Sequence, residues 1–409
     1  MEGIHVDSEK KKERIALKHQ SGEGFKTSRL PMMIFGIYMV IISITCFFLT
    51  LYFKDTLAFS GKQIGMLYSI QAVTGMLAAL PAGIGLDRIS SRTIAVAGLI
   101  LQGFCFIFLG LVKSFLACAG VFLIWSLSSW LFRMSIDVHV LKTIDKEFQA
   151  SQIGIFQAWR FAGLTIGILL AGYAIRYLDF SISLMAAGGF CFLLTLPTFF
   201  LSPTSVGRIW LSDYKKDFSN RTAQLFSIWM LLFATHWGAE QTCYGLFLKH
   251  DLGLSTIGMA WYISAEFIVI LVTMLKIPGY MNRKNGLMAI AVIGLLTSGI
   301  GHIGMVLPWV WLSALFRMIH GIGDGCMLLI FYFGIARLFP MEHLGGNAGI
   351  VNLATMIGYV AGAMLYGHLG ETFGYSHPIW ISGVTTILLI LPLWSLHFQQ
   401  KRRLSVLQQ

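Results

Sequence analysis

The stretch Arg317-Met-Ile-His320-Gly-Ile-Gly-Asp324-Gly lies inside an apolar run from about Pro308 to Leu338. A run of that length can cross a bilayer, which needs roughly 20 apolar residues. Arg317, His320 and Asp324 sit at i, i+3 and i+7, so they share one face of a helix. Each ionisable group at such depth costs at least ~2.5–3.5 kcal/mol unless it is paired or hydrated. Three of them on one stripe predict that the rest of the chain compensates this face around a water-accessible cavity.

The rest of the chain has the same character. Of its 409 residues, 56% are hydrophobic and 12% charged, where a soluble domain carries about 25% charged residues. Twelve helix-length apolar runs can be counted, at about 31–53, 63–85, 92–112, 116–140, 152–175 and 181–201, then 223–248, 256–277, 287–307, 309–338, 346–369 and 377–397. The expected plan is a tail (1–30), a six-helix bundle (31–202), a linker (203–222), a second six-helix bundle (223–397) and a tail (398–409). The first tail carries the mixed-charge tract Glu9–Arg14 but no apolar core of a secretory signal, so an uncleaved first span is expected.

The net charge of +11 does not point to nucleic acid, because the charges fall in alternate short loops. Tails and even-numbered loops hold 22 Lys and Arg, odd-numbered loops five, and three lie inside the runs. That bias predicts a multi-pass protein of the cell (inner) membrane with both termini cytoplasmic. The six cysteines all fall inside apolar runs without a Cys-x-x-Cys pair. Neither a disulfide framework nor a metal site is expected, and no cofactor.

The halves repeat. A shift of 195 residues lays Gly154, Gly163, Gly167 and Gly172 onto Gly349, Gly358, Gly362 and Gly367, and Gln157 onto Asn352. Parallel repeats are a transporter signature. The glycines alone fit close helix packing better than any chemistry. Leu131-Phe-Arg133-Met and Leu315-Phe-Arg317-Met look like repeat partners, but their shift is 184, eleven residues or ~16 Å out of register.

Between the second and third runs stands Gly83-Ile-Gly85-Leu-Asp87-Arg88-Ile-Ser-Ser-Arg92. It resembles the loop signature of the major facilitator superfamily, with Ser90 in place of a glycine and Ser91 in place of a base. Pro278-Gly-Tyr-Met-Asn282-Arg283-Lys284 is a worn copy at the same shift. The resemblance implies an all-α polytopic membrane protein whose twelve transmembrane helices form two six-helix repeats. It also implies a cytoplasmic gate at Gly83, Asp87, Arg88 and Arg92, with Asp87 facing the start of span 11 at Gly345-Gly346-Asn347. A carboxylate suits a helix N-terminus, whose free N–H groups attract negative charge.

Inside the spans lie Arg133, Asp137, Arg160, Glu240, Glu266, Arg317 and Asp324, accompanied by His139, His236 and His320. Spacing offers the i, i+4 pairs Arg133/Asp137, His236/Glu240 and His320/Asp324. The set is similar to the lactose-permease branch of that superfamily. The similarity implies proton coupling by Glu240, Glu266, Arg317, His320 and Asp324, and solute binding by Asp137, Arg160, Gln157, Trp159 and Asn352. Asp324 lies four residues after the histidine where the branch's acid lies three after it, and span 11 has no lysine to neutralise Glu240.

The expectation is a monomeric, proton-coupled symporter of a small polar solute, such as a sugar or nucleoside, working by alternating access. Its partners would be that solute, protons and the lipid bilayer. A proton-coupled exporter is the alternative, although Gly163–Tyr173 has no proline of the kind drug antiporters carry. A non-transporting sensor fits less well, since tails of about thirty and twelve residues are too short for a signalling domain. No nucleotide loop, metal cluster or nucleophile triad suggests an enzyme.

Overall fold

The computed structural model describes residues 29–45, 48–49, 52–145, 148–204, 210–281, 283 and 285–393. The expected tail 1–30, apart from residues 29 and 30, and the whole tail 398–409 lie outside these, as do Cys46, Asn282 and Lys284. Twelve principal helices follow one another and no strand occurs among the described residues. They are α1 (Arg29–Thr45), α2 (Gly61–Arg88), α3 (Ser91–Leu111), α4 (Phe115–Thr143), α5 (Gln149–Tyr177) and α6 (Phe180–Thr198). A linker helix (Leu211–Asp217) leads to α7 (Arg221–Ala239), α8 (Thr256–Lys276), α9 (Gly286–Met305), α10 (Val310–Leu338), α11 (Leu344–Phe373) and α12 (Ser376–Leu388).

Ten of these are long and apolar enough to cross a membrane on their own. The exceptions are α1 and α7, and only α7 is described as running directly into a π-turn. Span 1, expected to run unbroken over 31–53, has a π-turn at Tyr52–Thr56. Span 7 turns π at Glu240–Tyr244 and again at Phe247–Asp251. Tyr52–Thr56 and Phe247–Asp251 are 195 residues apart, so the interruption belongs to the repeat.

The same register governs capping and packing. Ser60 opens α2 by accepting from Gln63 N–H, and Ser255 opens α8 by accepting from Gly258 N–H. Gly163 and Gly167 of α5 lie on the backbone at Gly36 and Val40 of α1. Gly358 and Gly362 of α11 lie likewise on Leu231 and Thr235 of α7. A Cβ at any of the four would collide with a backbone carbonyl, so these glycines are packing residues.

The halves meet along two crossings that are also repeat mates. Gly349 of α11 packs on Ala79 and Leu80 of α2, and Gly154 of α5 packs on Met274 of α8. Both lie at the end of the molecule where α2 finishes, here called the basic face. The five described cysteines are buried and free.

Candidate functional site

The charges of the second half converge on one buried network. Asp324 is the midpoint residue of the 29-residue α10, and Arg317 lies ~10 Å nearer its start. Arg317 donates from Nε to Glu266 Oε2 of α8 at 2.7 Å and from a terminal nitrogen to Glu240 Oε1. Its guanidinium also lies over the Tyr244 ring, 4.1 Å from the centroid. Arg317 is therefore the base that neutralises Glu240, and no lysine on span 11 is needed. His320 Nε2 stands between carboxylates, 3.0 Å from Glu240 Oε1 and 3.4 Å from Asp324 Oδ1.

Spacing mispaired one residue here. His236 does not bond Glu240, its i+4 neighbour; its Nε2 lies 3.3 Å from Asp324 Oδ1. Asp324 also accepts from Trp237 Nε1 at 3.0 Å and from Ser298 Oγ at 3.2 Å. Trp237 is thus a hydrogen-bond donor to the carboxylate. Glu240 keeps 18% of its side chain exposed, against 2% for Glu266 and 7% for Asp324. The network therefore reaches solvent best through Glu240, where α7 turns π. π-Bulges recur at functional sites because they re-aim side chains.

His302 was missed by the sequence reading. It bonds Glu240 Oε1 at 3.0 Å through Nε2 and Ser382 Oγ at 2.8 Å through Nδ1. Its ring stacks on His320 at 4.0 Å. The available signal was an ionisable residue near the end of run 287–307, flanked by Gly301 and Gly304.

A second constellation joins the halves. Asp137 of α4 and Arg160 of α5 do not pair directly. The hydroxyl of Tyr332 on α10 donates to Asp137 Oδ2 and accepts from Arg160, both at 3.1 Å. Asp137 and Tyr332 are themselves 195 residues apart. A residue that touches its own repeat mate lies on the axis relating the halves, so this bond marks that axis. Arg133, expected to pair with Asp137, instead places its guanidinium over Trp130.

Arg160 is not at the helix start, since α5 begins eleven residues earlier at Gln149. Gln157, one turn before it, is fully buried with no protein partner for its amide. Trp159 is 40% exposed and packs over Gly36 of α1. Adjacent helix positions do not face each other, so Trp159 does not share the Arg160 face. Asn352 donates back to Ala348 O of its own helix at 2.9 Å.

At the basic face, Asp87 is completely buried. It accepts from Gly345 N–H at 2.9 Å and Gly346 N–H at 2.7 Å, where α11 begins. Lys142 of α4 and Tyr214 of the linker helix, both absent from the sequence reading, complete its shell at 2.8 and 3.0 Å. Burial and the Asp87 carboxylate push the Tyr214 hydroxyl above its ordinary range, so it stays a donor. Gly83 permits the approach, since a Cβ there would strike Gly345 O. Arg92 turns away to Leu201 O at 3.4 Å, and Arg88 is exposed. His139 bonds Ser91 Oγ at 2.8 Å, a structural role beneath the same loop.

The chain is 24% identical over 394 residues to the multidrug resistance protein MdtH of Aeromonas hydrophila subsp. hydrophila, covering 88% of this chain and 92% of that one. Among solved structures, the human organic anion transporter MFSD10 (TETRAN) superimposes with TM-score 0.73 at 12% identity, over 90% of this chain and 98% of that one. The Escherichia coli fucose:proton symporter FucP gives 0.70 at 12%, over 90% and 97%. The nucleoside transporter NupG gives 0.66 at 15%, over 90% and 98%. Residues 32–247 and 226–408 each match the pattern of one family, and together they span nearly the whole chain. With its repeated six-helix halves and its motif beside the start of α11, the chain belongs to the Major Facilitator Superfamily.

Proposed function

We propose that this transporter couples movement of a small polar organic solute, such as a sugar or nucleoside, to protons. It would work by alternating access between halves that rock about the Asp137–Tyr332 axis. The basic face is the cytoplasmic one in this reading, and the protein is a monomer of the cell (inner) membrane. The observation that carries the proposal is the buried set Glu240, Glu266, Arg317, His320 and Asp324. Three carboxylates face one guanidinium there, and unneutralised acids within a span are the usual carriers of ions along a transport path.

The solute site is built from Asp137, Gln157 and Arg160. Tyr332 spans Asp137 and Arg160 through one hydroxyl that donates to the acid and accepts from the base. A solute hydroxyl can do the same, which supports a polyhydroxylated substrate. Asn352, the repeat mate of Gln157, would contribute from the other half once released from Ala348. Trp159 faces elsewhere and is left out of the site. Gly83, Asp87 and Lys142 form the latch on the basic side, with Arg88 and Arg92 flanking it.

FucP is named a fucose:proton symporter, which fits symport, and NupG a nucleoside transporter, which fits a small polar solute. The Aeromonas relatives are named multidrug resistance proteins, which favours export as the second reading. Purified protein in liposomes loaded with a pH dye, challenged with a solute panel, separates the two. Symport predicts that an inward solute gradient acidifies the lumen. Export by antiport predicts that it alkalinises the lumen, and no proton movement with any transported solute would sink the coupling.

A further inference from the structure

The side chains around Asp324 have the arrangement of a metal-binding site. His236 Nε2 and His320 Nε2 lie 3.3 and 3.4 Å from Asp324 Oδ1. Three ligand atoms bound to one ion at ~2.0–2.1 Å in tetrahedral geometry stand about 3.3–3.4 Å apart. The three potential ligand atoms all lie within 4.8 Å of one another. Both imidazole Nε2 atoms are buried and lack a hydrogen-bond partner.

The atoms behind the ligands are also in place. His236 directs Nδ1 at Phe233 O at 2.5 Å, and His320 directs Nδ1 at Ser298 O at 2.9 Å. A carbonyl only accepts, so each Nδ1 carries the proton and each Nε2 presents its lone pair. Metal-ligating histidines are oriented in this way, and their carboxylate co-ligands are held by further hydrogen bonds. Asp324 is held so, by Trp237 and Ser298.

Charge points the same way. With neutral imidazoles, Glu240, Glu266 and Asp324 against Arg317 leave a surplus of two negative charges in a buried site. A divalent cation cancels that surplus. We propose that His236, His320 and Asp324 bind one divalent transition ion of the zinc class, with Glu240 or water as the fourth ligand. Two nitrogens and one carboxylate oxygen suit zinc, whereas magnesium and calcium require oxygen ligands. His302 does not belong to this set, because its Nε2 clusters with Glu240 and His320 and not with Asp324. The ion would compete with protons for the same lone pairs, so zinc would inhibit the transport proposed above.

The test uses full-length protein purified through a tag without histidine and titrated with Co2+. One Co2+ per chain is expected, with the visible ligand-field absorption of a tetrahedral site. Zn2+ should displace it and Mg2+ should not. His236→Ala should weaken binding by on the order of 100-fold or more, since even loss of an outer-shell partner costs about 10–100-fold. His377→Ala, at the exposed start of α12, should leave it unchanged. Thermal stabilisation of wild-type protein by Zn2+ gives a readout that needs no variant. Absence of both the absorption and the stabilisation, or a signal that survives His236→Ala and follows His377→Ala, would overturn the proposal. The readouts are of metal and not of transport, so their failure would leave the coupling proposal intact.

Discussion

Tyr332 carries more of the account than its neutral side chain suggests. It is the repeat mate of Asp137, and one hydroxyl satisfies both an acid and a base from the other half. Tyr332→Phe keeps the ring and removes both bonds. An unmet buried partner costs about 1–3 kcal/mol, which is roughly 5- to 150-fold in an equilibrium. If a solute hydroxyl replaces the tyrosine, the variant should bind solute more tightly in equilibrium binding, because the competitor is gone. Weaker binding by the same measure would make Tyr332 a solute ligand instead. The ionisable residues of both constellations were legible in the sequence, since a charge in an apolar run stands out. Their partners were not. Spacing along one helix proposed His236/Glu240 and Arg133/Asp137, but His302 of α9 takes Glu240, Asp324 takes His236 and Tyr332 of α10 takes Asp137.

At the scale of elements, the spans were readable because hydropathy and length are local properties. The π-turns were not, because a register change inside a helix answers to packing against its neighbours. The glycine rows were legible as a repeat, and their physical role is to bring α5 onto α1 and α11 onto α7 at backbone contact. Gly358→Val would push a side chain into Leu231 O. Overpacking typically costs about 1–3 kcal/mol, so a lower unfolding temperature in detergent is expected, while Gly189→Val, where nothing lies within 4 Å, should be neutral. Equal stability of the two variants would contradict the packing reading. Asp87 ties α2 to the first N–H groups of α11, to Lys142 and to Tyr214. Breaking a buried ion pair costs about 3–5 kcal/mol, and here the cost falls only on the state in which the basic face is shut. Asp87→Asn should therefore raise the reactivity of a cysteine placed at Ala348, buried near the start of α11, toward a soluble maleimide. Unchanged labelling would mean that this contact is no latch.

For the molecule as a whole, the 195-residue register relates π-turns, helix caps, glycine crossings and the axial pair, yet it does not relate the chemistry. Glu240, Glu266, Arg317, His320 and Asp324 correspond to Thr45, Gln71, Phe122, Trp125 and Ser129. At these positions one half thus keeps ionisable side chains where the other keeps uncharged ones. Duplication was visible in the sequence because glycines resist substitution at backbone contacts. The division of labour was visible only in part, since His302 and Trp237 take their meaning from helices distant in the chain. The central claim is that the ionic half moves the protons while solute binds at the axis. It is tested most directly by comparing wild type with Asp324→Asn in proteoliposomes, measuring solute counterflow and solute-driven proton flux on the same preparation. Asp324→Asn should keep counterflow and lose at least about 90% of the proton flux, equivalent to ~1.4 kcal/mol or more in the coupling step. Proton flux in Asp324→Asn equal to wild type would contradict it.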